Sequence, residues 1–248
     1  MFLQQLRIQR SLFYLPLYWF AVTQLVNVNW SRSVLSLIIL FFLLLPAANG
    51  FTFLAKSPGP HLKLKIICSS LSVIAILATA FISIPFTIGV VTMIVLSRLL
   101  DQFRLESGHF IYSFFHFITG ALLFSLSFHG SSLVLKMNPP VSGMLASGLL
   151  VTGFQLFLDN PRQSKKRIRL SGIFISLALL FTGYSYLSSL LFREFGVLLI
   201  CFLPVLFFYV IWLRKQDVSE YDNNRMKLVV LFCTNAGFFL PFLMTRFL

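Results

Sequence analysis

An all-α polytopic membrane fold of nine transmembrane helices is what this sequence predicts, and three observations carry it. Apolar stretches of roughly 20 residues recur along the chain, the length needed to cross a hydrocarbon core about 30 Å thick. Hydrophobic residues make up 58% of the chain and charged ones only 11%, with a mean hydropathy of +0.88, whereas soluble domains carry about 25% charged residues. Basic residues fall mostly on one set of alternating loops, as they do on the cytoplasmic side of polytopic proteins. Nothing between the apolar stretches is long enough for a second folded domain, so residues 1–248 read as one transmembrane helical domain.

The expected spans can be taken in order. The lead-in Met1 to Gln9 is short and basic, and so many apolar runs follow the first that it does not read as a signal peptide. Span one covers 11–29 and span two 33–53, with Tyr14, Tyr18, Trp19 and Trp30 near their ends as expected interfacial anchors. The turn cluster Ser57-Pro58-Gly59-Pro60 closes the second span. Next comes an almost unbroken apolar run, 66–100, interrupted by Pro85. A proline inside a helix costs about 3 kcal/mol unless neighbours rescue the freed carbonyl. Membrane helices tolerate kinks, so Pro85 alone does not split the run. Spans five and six, 109–129 and 140–158, contain Gly120, Ala121, Gly143, Ala146, Ser147 and Gly148, small residues that let helices approach closely. Spans seven to nine cover 170–190, 194–213 and 226–247, with Tyr209 and Trp212 as further expected anchors.

Charge decides how the 66–100 run divides. With two spans there, 66–83 and 85–100, the N-terminus and the even-numbered loops share one side. That side holds 16 basic residues: Arg7, Arg10, Lys56, Lys63, Lys65, Arg98, Arg104, Arg162, Lys165, Lys166, Arg167, Arg169, Arg214, Lys215, Arg225 and Lys227. The other side holds 4, namely Arg32, Lys136, Arg193 and Arg246. With a single span, the later loops change side and the split falls to 8 against 12. Nine spans with a cytoplasmic N-terminus follow, in the inner or plasma membrane of a bacterium. The net charge of +13 is then a product of topology, and no nucleic-acid partner is expected.

Chemistry is limited by what the chain lacks. Its seven acids are Asp101, Glu106, Asp159, Glu194, Asp217, Glu220 and Asp222, all at span ends or in loops. A proton-coupled pump needs ionisable groups within the bilayer, so that class is disfavoured. Cys68, Cys201 and Cys233 lie inside apolar runs without CxxC spacing, and read as packing residues. His109 and His116 sit two helical turns apart, too far for adjacent ligands of one metal. Ser171-Gly172 and Gly183 read as helix-packing residues, and no cofactor is expected.

Two polar loops follow spans two and six, and both fall on the expected cytoplasmic side. One runs from Asn49-Gly50 through Lys56 to His61-Leu62-Lys63-Leu64-Lys65; the other is Asp159-Asn160-Pro161-Arg162-Gln163-Ser164-Lys165-Lys166-Arg167-Ile168-Arg169. This layout resembles the UbiA superfamily of intramembrane prenyltransferases, with nine helices, an inside N-terminus and functional loops after helices two and six. Leu45-Pro46-Ala47-Ala48-Asn49-Gly50-Phe51 resembles the entry to that family's first motif, and Gln155-Leu156-Phe157-Leu158-Asp159 the entry to its second. Ser97-Arg98 with Phe103-Arg104-Leu105 resembles the Tyr-and-basic stretch after the fourth helix.

The resemblance implies aspartates in both loops, holding magnesium that in turn holds a polyprenyl diphosphate. This chain departs from that pattern. No Asp or Glu occurs from Met1 to Leu100, Lys56 stands where a metal-binding acid is expected, and Asp159 is followed by five bases. Magnesium wants carboxylate oxygens, and cations around a lone carboxylate compete for it and repel the metal. No metal site is therefore expected. The first expectation is a UbiA-like protein without metal-dependent prenyl transfer, keeping a lipid-sized central cavity and serving as a lipid-binding or accessory subunit, with a membrane lipid or isoprenoid and other membrane subunits as partners. The second is a prenyltransferase that grips diphosphate through basic residues; the third is a small transporter. Candidate phosphate or headgroup residues are Asn49, Lys56, Lys63, Lys65, Arg98, Arg104, Asp159, Arg162, Lys165 and Lys166.

Overall fold

The computed structural model describes residues 11–56, 62–103, 110–134, 137–158, 165–214 and 220–247. These residues form nine helices and no strand, with one isolated bridge between Val28 and Ser132. The first helix, α1, is Leu15–Thr23. The second, α2, is composite: Trp30–Leu37 and Leu45–Lys56 are α-helical, and Ile38–Leu44 between them is π-helical. Then follow α3 (Leu62–Thr79), α4 (Ile84–Phe103), α5 (Phe110–Ser131), α6 (Val141–Leu158), α7 (Lys165–Ser188), α8 (Phe192–Arg214) and α9 (Glu220–Phe247).

Among the described residues, six stretches are long and apolar enough to cross a membrane: Trp30–Phe51, Leu62–Thr79, Phe110–Ser131, Arg167–Ser188, Phe192–Ile211 and Arg225–Phe247. Two apolar helices are shorter, Ile84–Leu99 and Val141–Phe157. The first expected span differs most from the structure. Helix α1 has only 9 residues, about 14 Å at 1.5 Å per residue, far short of the hydrocarbon thickness. Its C-terminal side runs into Gln24, Asn27 and Asn29, polar residues that compete for backbone hydrogen bonds and favour turns and caps. Asn29 caps α2 instead, its side chain accepting from the Arg32 backbone N–H at 3.1 Å.

The apolar run 66–100 forms two helices, with turns at Ala80–Ile82. Pro85 lies in the first turn of α4, where its missing N–H leaves no intrahelical bond unmade. The π segment of α2 was not foreseen. Pro46 has no N–H for the Phe42 carbonyl, and its ring crowds that carbonyl in an α-helical register. A wider turn just upstream relieves the conflict, with the Leu45 N–H bonding Leu40 O across five residues.

Helix α1 occupies the middle of the bundle. Phe20 packs against Phe124 of α5, Tyr186 of α7 and Phe238 of α9, and Phe13 just before α1 meets Phe154 of α6. Leu17, Phe20, Ala21 and Val22 are all fully buried. Around α1, α5 packs on α6, α6 on α7, and α8 on α9, while α2 holds α3 and α4. The α5–α6 contact is as close as the small residues predict. A Cβ on Gly120 would sit 2.9 Å from Gly148 Cα, and one on Gly148 would sit 2.8 Å from the Phe117 carbonyl.

Candidate functional site

The structure separates the candidate residues. Asn49, near the end of α2, turns inward and its amide donates to Ser11 Oγ at 3.4 Å. Gln155, near the end of α6, donates its amide to the Tyr14 hydroxyl. Ser11 and Tyr14 form one turn, closed by the Tyr14 N–H on Ser11 O at 3.0 Å. The two helix ends that deliver the polar loops therefore meet on the same four residues of the chain's own N-terminal segment. Tyr14 is 5% exposed and Gln155 4%, so this junction lies within the bundle.

Arg98 goes elsewhere. Its guanidinium lies 3.6 Å from the centroid of the Phe51 ring and donates to Ser69 Oγ at 3.0 Å. Phe51 is fully buried in a small satellite core with Ala47, Leu64 and Cys68, so α4 reaches across to clamp α2 and α3. Beside Arg98 opens a groove of about 520 Å³ lined also by Lys65, Ile66, Ser69, Ser70, Val73 and Ile74. Lys63 is exposed on α3 and does not line it. Lys56 ends α2, and Lys165 and Lys166 begin α7, at helix termini. Arg104, Asp159 and Arg162 lie outside the described residues.

A second groove, about 610 Å³, runs between α7 and α8 with Arg169 at one end and Ile173, Leu177, Leu180, Leu206 and Val210 along it. Tyr209, which lines it, is held by Ser171, whose Oγ donates to Gly153 O at 2.8 Å and pairs with the Tyr209 hydroxyl at 2.7 Å. Ser171 thus ties α7 to both α6 and α8, the packing role expected of it. Three expected interfacial aromatics prove to be interior residues instead. Tyr14, Tyr18 and Tyr209 are buried because each hydroxyl finds an internal partner, on Gln155, Ser33 and Ser171 respectively. Trp30 is 48% exposed, as an anchor should be.

At the opposite end of the bundle lies a buried polar cluster that sequence reasoning missed. The Tyr18 hydroxyl donates to Ser33 O at 2.9 Å, Ser33 Oγ donates to Ser131 Oγ at 2.9 Å, and Ser36 Oγ donates to Ser33 O at 2.8 Å. Arg32 donates to Ile82 O at 3.1 Å and Ser132 O at 3.4 Å. Arg246 donates to the carbonyls of Val22 and Leu25 at the end of α1 and to Val26 O at 3.2 Å. Two of the four basic residues assigned to the sparse side are thus engaged with backbone carbonyls at or just beyond helix ends. Their pairwise partners lie 50 to 224 positions away in sequence, which is why no local pattern announced them.

Among the described residues there is no group of three or more His, Cys, Asp or Glu side chains that could hold a metal ion. Comparison of the chain with protein-family models, with curated proteins and with solved structures found no match.

Proposed function

We propose that this chain is a UbiA-like integral membrane protein without metal-dependent prenyl transfer, working as a lipid-binding or accessory subunit of a membrane assembly. One observation carries the reading: the Ser11–Tyr14 turn bridges Asn49 and Gln155, the residues that lead into the two loops where the resembled family keeps its metal-binding aspartates. Among the described residues the junction between those helix ends is tied by neutral amides and hydroxyls. Among the described residues the middle of the bundle is likewise packed by the aromatic face of α1, and the grooves beside Arg98 and Arg169 are places where an amphiphile can lie.

The charge inventory favours the same reading. Ionising an allylic diphosphate requires neutralising a leaving group, and the first 100 residues offer no carboxylate to hold a divalent cation for that purpose. The basic residues at the ends of α2, α3, α4 and α7 suit an anionic headgroup. The topology that accompanies the proposal is nine passes with a cytoplasmic N-terminus in the inner or plasma membrane of a bacterium, the first pass made by residues 11–29, of which α1 is only the helical part.

The test is purification under mild detergent from its native membrane, followed by a prenyl-transfer assay on the isolated chain. Co-purification with other membrane subunits and absence of transfer are expected. A monodisperse monomer that transfers a prenyl group to an acceptor overturns the accessory role and promotes an enzyme that grips diphosphate through its basic residues.

A further inference from the structure

We infer that the groove between α3 and α4 binds an anionic phospholipid of the cytoplasmic leaflet, its phosphodiester on Arg98 and Lys65 and its acyl chain along Ile66, Val73 and Ile74. This rests on the lipid-binding reading above and gives it a site and a headgroup class.

The groove has a polar end and an apolar wall. Lys65, Ser69, Ser70 and Arg98 supply two cations and two hydroxyls, and none of the seven lining residues is acidic. Ile66, Val73 and Ile74 are 56%, 55% and 50% exposed, so they form an outward apolar strip long enough for part of an acyl chain. Arg98 is held in place before any ligand arrives. Its guanidinium rests on the buried Phe51 ring and bonds Ser69 Oγ, so little rotamer freedom remains to be lost on binding. A guanidinium has five N–H donors in a planar fork, which matches two phosphate oxygens. The occupant follows from charge and place. Lys65 lies near the start of α3 and Arg98 near the end of α4, the ends that the basic asymmetry assigns to the cytoplasm, where anionic lipids give the leaflet a negative surface.

The experiment uses the full chain in detergent and native mass spectrometry. It titrates dioleoyl-phosphatidylglycerol, dioleoyl-phosphatidylcholine and inorganic phosphate separately, and phosphate again as a competitor. Arg98→Ala and Val73→Trp are compared with Arg193→Ala, an exposed cation outside the groove, after circular dichroism confirms helicity. Selective phosphatidylglycerol binding, weakened by about tenfold or more in Arg98→Ala and also in Val73→Trp, with Arg193→Ala unchanged, is the expected result. Equal binding of the two lipids, or Arg98→Ala matching Arg193→Ala, overturns the proposal. Competition by inorganic phosphate together with an unaffected Val73→Trp replaces the lipid by a free phosphate, and likewise overturns it. Prenyl transfer by the isolated chain fails the accessory reading without touching any of these outcomes, so the two failures are distinguishable.

Discussion

Replacing Gly120 by alanine tests the packing of α5 on α6, two of the helices that surround α1. The added Cβ would press on the Ser147 carbonyl oxygen and lie 2.9 Å from both Gly148 Cα and Ser147 C. Ordinary carbon contacts are about 3.5–4.0 Å, so the helices must part by at least about 0.6 Å, and further to clear that oxygen. The obstacle is backbone, which cannot swing aside as a side chain can. Overpacking of this kind costs about 1–3 kcal/mol, against a gain of about 1 kcal/mol from replacing glycine in a helix. The net expectation is a loss of up to about 2 kcal/mol. Gly196, early in α8, is the matched control because a Cβ there meets nothing within 4 Å; Gly196→Ala keeps only the propensity gain. Unfolding by titration with a denaturing detergent, followed by circular dichroism, compares the two. Gly148→Ala should destabilise similarly, and the double variant should cost less than the sum, because helices already parted accept the second methyl more easily. If Gly120→Ala proves as stable as Gly196→Ala, the close approach of α5 and α6 is wrong.

Leu190 has φ +58° at the end of α7, where Leu191 N bonds Tyr186 O and Leu190 N bonds Leu187 O, the paired closing bonds that favour glycine at this position. Leu190→Gly should therefore stabilise the fold by about 1 kcal/mol, read as a higher unfolding midpoint in the same titration; a lower midpoint would refute the cap. Arg246→Met keeps the apolar stem but removes the donor to the Leu25 and Val26 carbonyls, leaving Val22 O its backbone bond from Leu25 N–H, and should destabilise by about 1–3 kcal/mol; an unchanged midpoint would show that water or lipid headgroups serve those carbonyls equally well. For topology, cysteines placed at Lys63 and Lys166 should be labelled from the cytoplasmic side and one at Lys136 from the other. Labelling of Lys136 and Lys166 from one side would sink the arrangement.

What the sequence announced, and what it withheld, follows the range of the interactions involved. Helix placement was legible because apolar length and charge alternation are local signals; the division of 66–100 into α3 and α4 emerged from basic residues far from Pro85. The small residues of α5 and α6 were legible because few other roles suit such a cluster in a membrane helix. The brevity of α1 was hidden, since its apolar composition matches a span and only Gln24, Asn27 and Asn29 hinted at its end. The inward turn of Tyr14, Tyr18 and Tyr209 was equally hidden, because an aromatic with one polar atom suits an interface or a buried partner alike. The partition of the candidate site depends on contacts across the fold: Arg98 meets Ser69 and Phe51, while Asn49 meets Ser11. A list of basic residues by loop could not separate those two environments.

The most direct test of the central claim is the metal dependence of polyprenyl diphosphate binding. The delipidated full chain is titrated with a polyprenyl diphosphate in magnesium and again in a chelator, with native mass spectrometry counting bound species and a diphosphate-release assay run in parallel. Binding of equal strength in both conditions, with no diphosphate released, is what a bundle that holds anionic amphiphiles through Lys and Arg predicts. Binding that appears only with magnesium, or release of diphosphate on adding it, would contradict the account.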